Sequence, residues 1–142
     1  MSEPTRETAQ PAIAASRLVK IYENESCAAV DQVDFEIAAG ESVAIMGPSG
    51  CGKSTLLNLI AAMDRPNAGE LRVFGQSLAE LDRRQADNFR RLTIGFVFQL
   101  HNLLPHLTAH ENVQVPMLRG DITPGERCSR ASMLLEQVGL AE

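Results

Sequence analysis

Gly47-Pro48-Ser49-Gly50-Cys51-Gly52-Lys53-Ser54 is the stretch on which the reading of this chain turns. It satisfies every fixed position of GxxxxGK[ST], a spacing that cradles nucleotide phosphates when it sits between a strand and a helix. Both flanks fit. Before it, Glu41 to Met46 (ESVAIM) is a short apolar run that predicts a strand; after it, Leu56, Leu57, Leu59, Ile60 and Met63 recur at helical spacing. Glycines let the backbone curl so that consecutive N–H groups point inward at phosphate oxygens, and the helix N-terminus adds the positive end of its dipole. Lys53 then supplies a point charge to the β- and γ-phosphates, and the Ser54 hydroxyl takes one position on Mg²⁺.

Moving outward, the chain alternates short apolar runs with helical stretches, the pattern of an α/β domain built on a parallel sheet. Early strands are predicted over Ile13 to Tyr22 and Val30 to Ile37. The second alternates Val33, Phe35 and Ile37 against Gln32, Asp34 and Glu36, which suits a half-solvated antiparallel sheet. Gly69 to Gly75 reads as another strand and Asp82 to Leu92 as an Arg-rich surface helix. Thr93 to Gln99 (TIGFVFQ) reads as a buried strand ending on a polar residue. Two helices follow, the last signalled by Thr123-Pro124-Gly125-Glu126, a capping-box spacing with proline at the first helical position, ahead of Cys128 to Val138.

Composition narrows the function classes. The 142 residues are one domain by length, with 44% apolar and 22% charged residues, an ordinary globular balance. A net charge of −5 lacks the basic footprint of a nucleic-acid binder, so no nucleic acid is expected as a partner. Cys27, Cys51 and Cys128 are odd in number and widely spaced, indicating neither a disulfide framework nor a zinc site and fitting a reducing cytosol. Met1 to Ala12 is polar, has no apolar core of a secretory signal, and reads as a disordered tail. No run approaches 18 apolar residues, so a membrane would be met from beside it. Lys20 and Lys53 are the only lysines, so no guanine-reading NKxD motif follows the loop, which sets GTPases of the Ras kind aside.

Two longer segments carry a family likeness. GESVAIMGPSGCGKSTLLNLIAAMDRPNAGEL (40–71) and RLTIGFVFQLHNLLPHLTAHENVQVPM (91–117) resemble the ABC transporter ATPase domain, within it the group serving lipoprotein-releasing, macrolide-export and cell-division-linked systems. The likeness covers nearly all of 13–142, so that span reads as a partial ABC ATP-binding domain: a P-loop NTPase core with an antiparallel β subdomain. It implies ATP and Mg²⁺ as cofactors, a transmembrane permease and a second nucleotide-binding domain as partners, and a cytoplasmic place on the inner face of the membrane. It implies a binding set of Tyr22, Gly47, Pro48, Ser49, Gly50, Cys51, Gly52, Lys53, Ser54 and Thr55, with Ser54 and Gln99 at Mg²⁺.

Each further position has a plainer alternative. Tyr22 falls at the family's adenine-stacking aromatic, or is a partly buried strand tyrosine. Gln99 matches the glutamine that contacts Mg²⁺ or attacking water and is the one catalytic candidate; otherwise it is a polar strand terminus. Leu100 to Met117, with Leu103, Leu104, Pro105 and Leu107, resembles the region receiving the permease's coupling helix, while its leucines fit core packing equally. His101, His106 and His110 are spaced five and four apart, but Pro105 breaks any helix through the first two, so surface polarity is expected rather than a metal face. At His110 and Ala62 the family more often shows leucine and glycine. Arg83, Arg84, Arg90 and Arg91 read as a solvated helix face.

The family's LSGGQ signature, its Walker B strand ending in Asp-Glu and its switch histidine do not occur within these residues. Ala28-Ala29-Val30-Asp31 and Leu59 to Asp64 imitate a Walker B strand but precede the loop or sit on the helix leaving it. The resemblance therefore implies nucleotide binding without turnover by these residues alone, and a chain whose apolar sheet edges are open and prone to aggregate. Two functions stay open at this point. One is the N-terminal part of an exporter-type ATP-binding subunit that couples hydrolysis to transport when complete. The other is a short non-hydrolytic nucleotide-binding or regulatory protein acting on a permease or a full-length subunit.

Overall fold

The computed structural model describes residues 10–23 and 27–140, which fall into two compact units, Met1–Gly95 and Phe96–Glu142. Most of the expected tail, residues 1–9, lies outside the described residues. Ala12, placed at the tail's end, is instead buried, and its carbonyl accepts the N–H of Phe74 at 2.7 Å.

The first unit carries a sheet of four strands in the order β2-β1-β3-β4: β1 (Ile13–Lys20), β2 (Val30–Ile37), β3 (Ala68–Val73) and β4 (Gln76–Ser77). Each of its pairings is antiparallel. β2 keeps the predicted bounds. β1 stops two residues short of Tyr22, and the expected strand through Gly75 ends at Val73 because Phe74 (φ 47) and Gly75 (φ 77) form a two-residue hairpin turn into β4.

β1 is not regular. It advances three residues against two on β2 between Ala15 and Leu18, and three against two on β3 between Ser16 and Val19, a bulge around Arg17 (φ 44), and β2 answers with its own at Gln32 (φ 45). The Arg17 N–H, taken off the ladder, donates to Asp34 Oδ1 at 2.8 Å. A Cβ on Gly69 (φ 84) would stand 2.2 Å from the Arg17 carbonyl oxygen, so the bulge requires glycine opposite it. The extra residue shifts the strand's alternation by one: Ala15 is buried before it, Leu18 and Lys20 after it.

Helix α1 (Lys53–Ile60) buries Leu59, and helix α2 (Arg83–Thr93) buries Phe89. With Ala15, Leu18, Val30, Leu71, Val73, Leu78 and Leu81 they form the core. α2 begins on a complete capping box, Asp82 accepting from the Gln85 N–H while the Gln85 side chain accepts from the Asp82 N–H. The expected solvated arginine face is only partly so. Arg90 donates to the Ala62 carbonyl and pairs with Asp87, whereas Arg83, Arg84 and Arg91 are exposed. Ala62 (φ 51), where the family favours glycine, turns the chain at the end of α1.

In the second unit, α3 (Ala109–Gln114) runs into a 3₁₀ turn (Val115–Met117), and α4 spans Pro124–Gln137 with the predicted box at Thr123 and Glu126. Hydrogen bonds from the Thr123 hydroxyl and N–H hold the Glu126 carboxyl below its ordinary pKa. Thr108 does the same for Glu111 at the start of α3, backbone N–H first.

Two predicted strands form no ladder among the described residues: Glu41 to Met46 ahead of the loop, and the segment through Thr93 to Gln99. Thr93 instead ends α2, and Phe96, Val97 and Phe98 are exposed, the two phenyl rings stacked 5.4 Å apart. The parallel sheet expected from the sequence is accordingly absent among the described residues. A strand needs neighbours for its N–H and C=O groups, and no described segment supplies them.

Candidate nucleotide-binding site

The phosphate loop lies where predicted, immediately before α1, with Gly52 as the residue preceding the helix at φ 88. A Cβ on Gly52 would come within 2.0 Å of the Ala29 carbonyl oxygen. The loop therefore packs backbone to backbone on the residues entering β2, which only glycine permits. The Lys53 side chain arches back over the loop, its Nζ donating to the carbonyl oxygens of Gly47 at 3.0 Å and Pro48 at 2.7 Å, with Cys51 Sγ at 3.5 Å. The ammonium is thus fixed on the exposed side of a turn whose following N–H groups open the helix. An anion placed there meets both the charge and the helix N-terminus.

Tyr22 shares a groove with this loop. An open cleft of about 480 Å³ is lined by Tyr22, Cys27, Ala28 and Ala29 together with Ser49, Gly50, Gly52, Lys53, Ser54 and Thr55. The ring and the loop thus line one space, and Ser54, in the first turn of α1, lines it with them. Gly47, Pro48 and Cys51 contribute through the Lys53 contacts instead.

Beneath Tyr22 lies a residue that the sequence reading passed over. Lys20 is 9% exposed, and its Nζ sits 5.0 Å from the centre of the Tyr22 ring while donating to Asp64 Oδ1 at 2.6 Å and to the Arg65 carbonyl at 2.9 Å. Burial works against the Asp64 carboxylate, but hydrogen bonds from Lys20 and the Arg65 N–H outweigh it and hold the pKa below the ordinary value. Asp64, last residue of one Walker B imitator, is thereby a partner of Lys20, and Ala28 to Asp31 merely leads into β2. The sequence signal for it is its standing as the one lysine besides Lys53, two residues from the only tyrosine.

Gln99 belongs to the second unit, exposed at a bend rather than at the end of a strand. After it, Leu100, Leu103 and Leu104 are exposed and Leu107 is half-buried, so this stretch is not ordinary core. The loop is held by Asn112, which the sequence reading also missed. Its Oδ1 accepts the Leu104 N–H at 2.8 Å, and its Nδ2 lies within 3.0–3.1 Å of the carbonyls of Leu104, Leu107 and Thr108. His110 ties α3 to α4, with Nε2 3.1 Å from the Cys128 carbonyl and 3.2 Å from Ser132 Oγ while Nδ1 meets the Gln114 amide. His101 and His106 are exposed.

Known proteins resemble this chain over most of its length. Residues 30–142 match the family model described as ABC transporter. The chain is 49% identical over 110 residues to the macrolide export ATP-binding/permease protein MacB of Marinobacter nauticus, covering 78% of this chain and 17% of that protein. It is 44% identical over 125 residues to the lipoprotein-releasing system ATP-binding protein LolD of Chromohalobacter salexigens, covering 87% of this chain and 53% of that one. Among solved structures, the dimeric post-hydrolysis state of the ATP-binding cassette MJ0796 bound to ADP and Pi superposes with a TM-score of 0.79 at 39% identity, over 89% of this chain and 57% of that one. The chain thus spans about half, or less, of the length of these relatives. Among the described residues no helix is long and apolar enough to cross a membrane. A glycine loop with its lysine, an antiparallel sheet with the lone tyrosine just beyond the end of β1, and these matches together place the chain in the ABC transporter family, where it matches part of the ATP-binding proteins of the MacB and LolD kind.

Proposed function

We propose that this chain binds Mg-ATP in the groove between Tyr22 and the phosphate loop, as the nucleotide-binding part of an exporter-type ABC transporter subunit. The observation that carries the reading is the shared groove: an aromatic ring and a glycine loop with its lysine line one cleft, as a base and a polyphosphate require. Lys53 binds the β- and γ-phosphates, the N–H groups of Gly50 to Thr55 cradle them, and Tyr22 stacks on adenine. Ser54 would hold Mg²⁺, because it stands in the first turn of α1 directly after Lys53 and lines the cleft. The metal supplies charge neutralisation to the phosphates when bound. Gln99 would be the residue that meets the metal or the attacking water in the assembled protein.

The whole protein couples hydrolysis to transport, working with a transmembrane permease and a second nucleotide-binding domain on the inner face of the membrane. The names of the relatives support this: one is an ATP-binding/permease protein, one serves lipoprotein release, and one cassette was solved as a dimer with ADP and Pi. Titration calorimetry with Mg-ATP tests the site. Lys53→Ala should weaken binding by about 10- to 150-fold, the value of hydrogen bonds to charged groups, with an unchanged circular dichroism spectrum. Equal affinity in variant and parent would remove the phosphate assignment.

A further inference from the structure

Lys20 poses a question that phosphate binding does not answer. Among the described residues it is the buried charged side chain, and taking an ammonium out of water is costly unless something specific requires it. Its distal neighbours are the Asp64 carboxylate, the Arg65 carbonyl and the face of Tyr22. Methionine would fill the same volume without the charge, so packing alone does not explain the lysine.

The surroundings indicate what is being held. The turn leaving α1 is sewn onto the end of β1 by four hydrogen bonds: the two from Lys20 Nζ, one from the Ile21 N–H to Asn67 Oδ1 at 2.8 Å, and one from the Asn67 N–H to the Val19 carbonyl at 2.8 Å. Tyr22 follows directly, beyond the last residue of β1, where no ladder holds it. A cation 5.0 Å from the ring centre is drawn to its electron-rich face and, together with the hydrogen bond between the Tyr22 hydroxyl and Asp64, fixes the plane of the side chain. With one face occupied by Lys20, the ring offers the other to a planar ligand in the groove.

We propose that Lys20 is a positioning residue for the base of a purine nucleotide: its ammonium, anchored by Asp64 and the Arg65 carbonyl, backs the Tyr22 ring and orients it for stacking. This rests on Tyr22 being the base platform. The bulge at Arg17 makes it possible, since a regular β1 would turn Lys20 away from the core face. Lys20 touches no phosphate, so its effect falls on the base half of the ligand alone.

The test compares ATP with inorganic tripolyphosphate, which lacks a base, in the full-length protein carrying this sequence. Lys20→Met should weaken ATP by about 3- to 30-fold, the range of a desolvated cation–π contact, and leave tripolyphosphate unchanged. Lys20→Arg, which keeps a cation over the ring, should restore most of the ATP affinity. Equal losses for both ligands would mean that Lys20 merely holds the fold, and would overturn the proposal. So would undiminished ATP affinity in Lys20→Met when Tyr22→Ala loses it, an outcome that leaves the platform itself standing. If Tyr22→Ala binds ATP as tightly as the parent, the platform fails and this inference with it. Should Lys20→Met not fold, Lys20→Gln removes the charge while keeping a polar side chain able to reach Asp64, and an unchanged ratio of ATP to tripolyphosphate affinity overturns the proposal.

Discussion

Gly52 is the residue on which the phosphate loop's docking depends, and its substitution is the sharpest single change available. Alanine there would meet the Ala29 carbonyl at 2.0 Å and hold a left-handed backbone. Gly52→Ala should cost at least about 1 kcal/mol of stability and weaken nucleotide binding as the loop lifts from β2, read by urea denaturation and calorimetry on the same preparation. Asp64 gives a pH signature. Its pKa is lowered in the folded chain from an ordinary 3.8, so its contribution is fully present above that value and is lost as pH falls through the folded pKa. The stability difference between parent and Asp64→Asn should therefore be constant from neutral pH down to about pH 5 and shrink below about pH 4. A difference that instead grew with acidity would mean that the ion pair is not formed. The phosphate loop was legible residue by residue because its chemistry is local. Lys20 and Asn112 were not, because a buried lysine depends on a bulge that no periodicity reveals, and an asparagine's partners are set by a loop's path.

At the scale of elements, what the sequence showed and what it hid divide by range. β2 alternates cleanly, α2 and α4 announce themselves with capping boxes, and each was found within a few residues of its place. The apolar runs of Glu41 to Met46 and Thr93 to Gln99 predict strands that form no ladder among the described residues. Apolarity says that a segment is suited to burial, whereas a ladder needs a partner that may lie anywhere in the chain. The loop before α3 shows the converse, an ordered segment with no sequence signal. Asn112→Ala removes the four contacts that hold Leu104 to Thr108, and the Leu104 amide should then exchange with deuterium about tenfold faster or more, while the amides of α4 keep their rates. An unchanged Leu104 amide would show that the loop is held by other means.

Across the whole molecule, apolar surface is unevenly covered. Met46, Val97 and Leu100 are 88%, 102% and 76% exposed, against a core of Leu18, Leu59, Leu71 and Val73 that is almost wholly shut from solvent. Unpaired apolar segments of this kind recruit other chains, so Val97→Asp should delay the onset of light scattering on warming without lowering the melting temperature. Faster aggregation in that variant would place the sticky surface elsewhere. Within the first unit, α1 is fastened at both ends: its first residue follows Gly52 packed on Ala29, and the turn beyond its last is sewn to Val19, Lys20 and Ile21. Eight helical residues rise about 12 Å, and each one added would swing the far turn by roughly 100°. The helix is in this sense a gauge. Together with the hydrogen bond from the Ala29 N–H to the Lys20 carbonyl at 2.8 Å, it sets how far the aromatic ring can stand from the phosphate cradle, and so which ligands are long enough to touch both, although such a ligand would meet only its first turn.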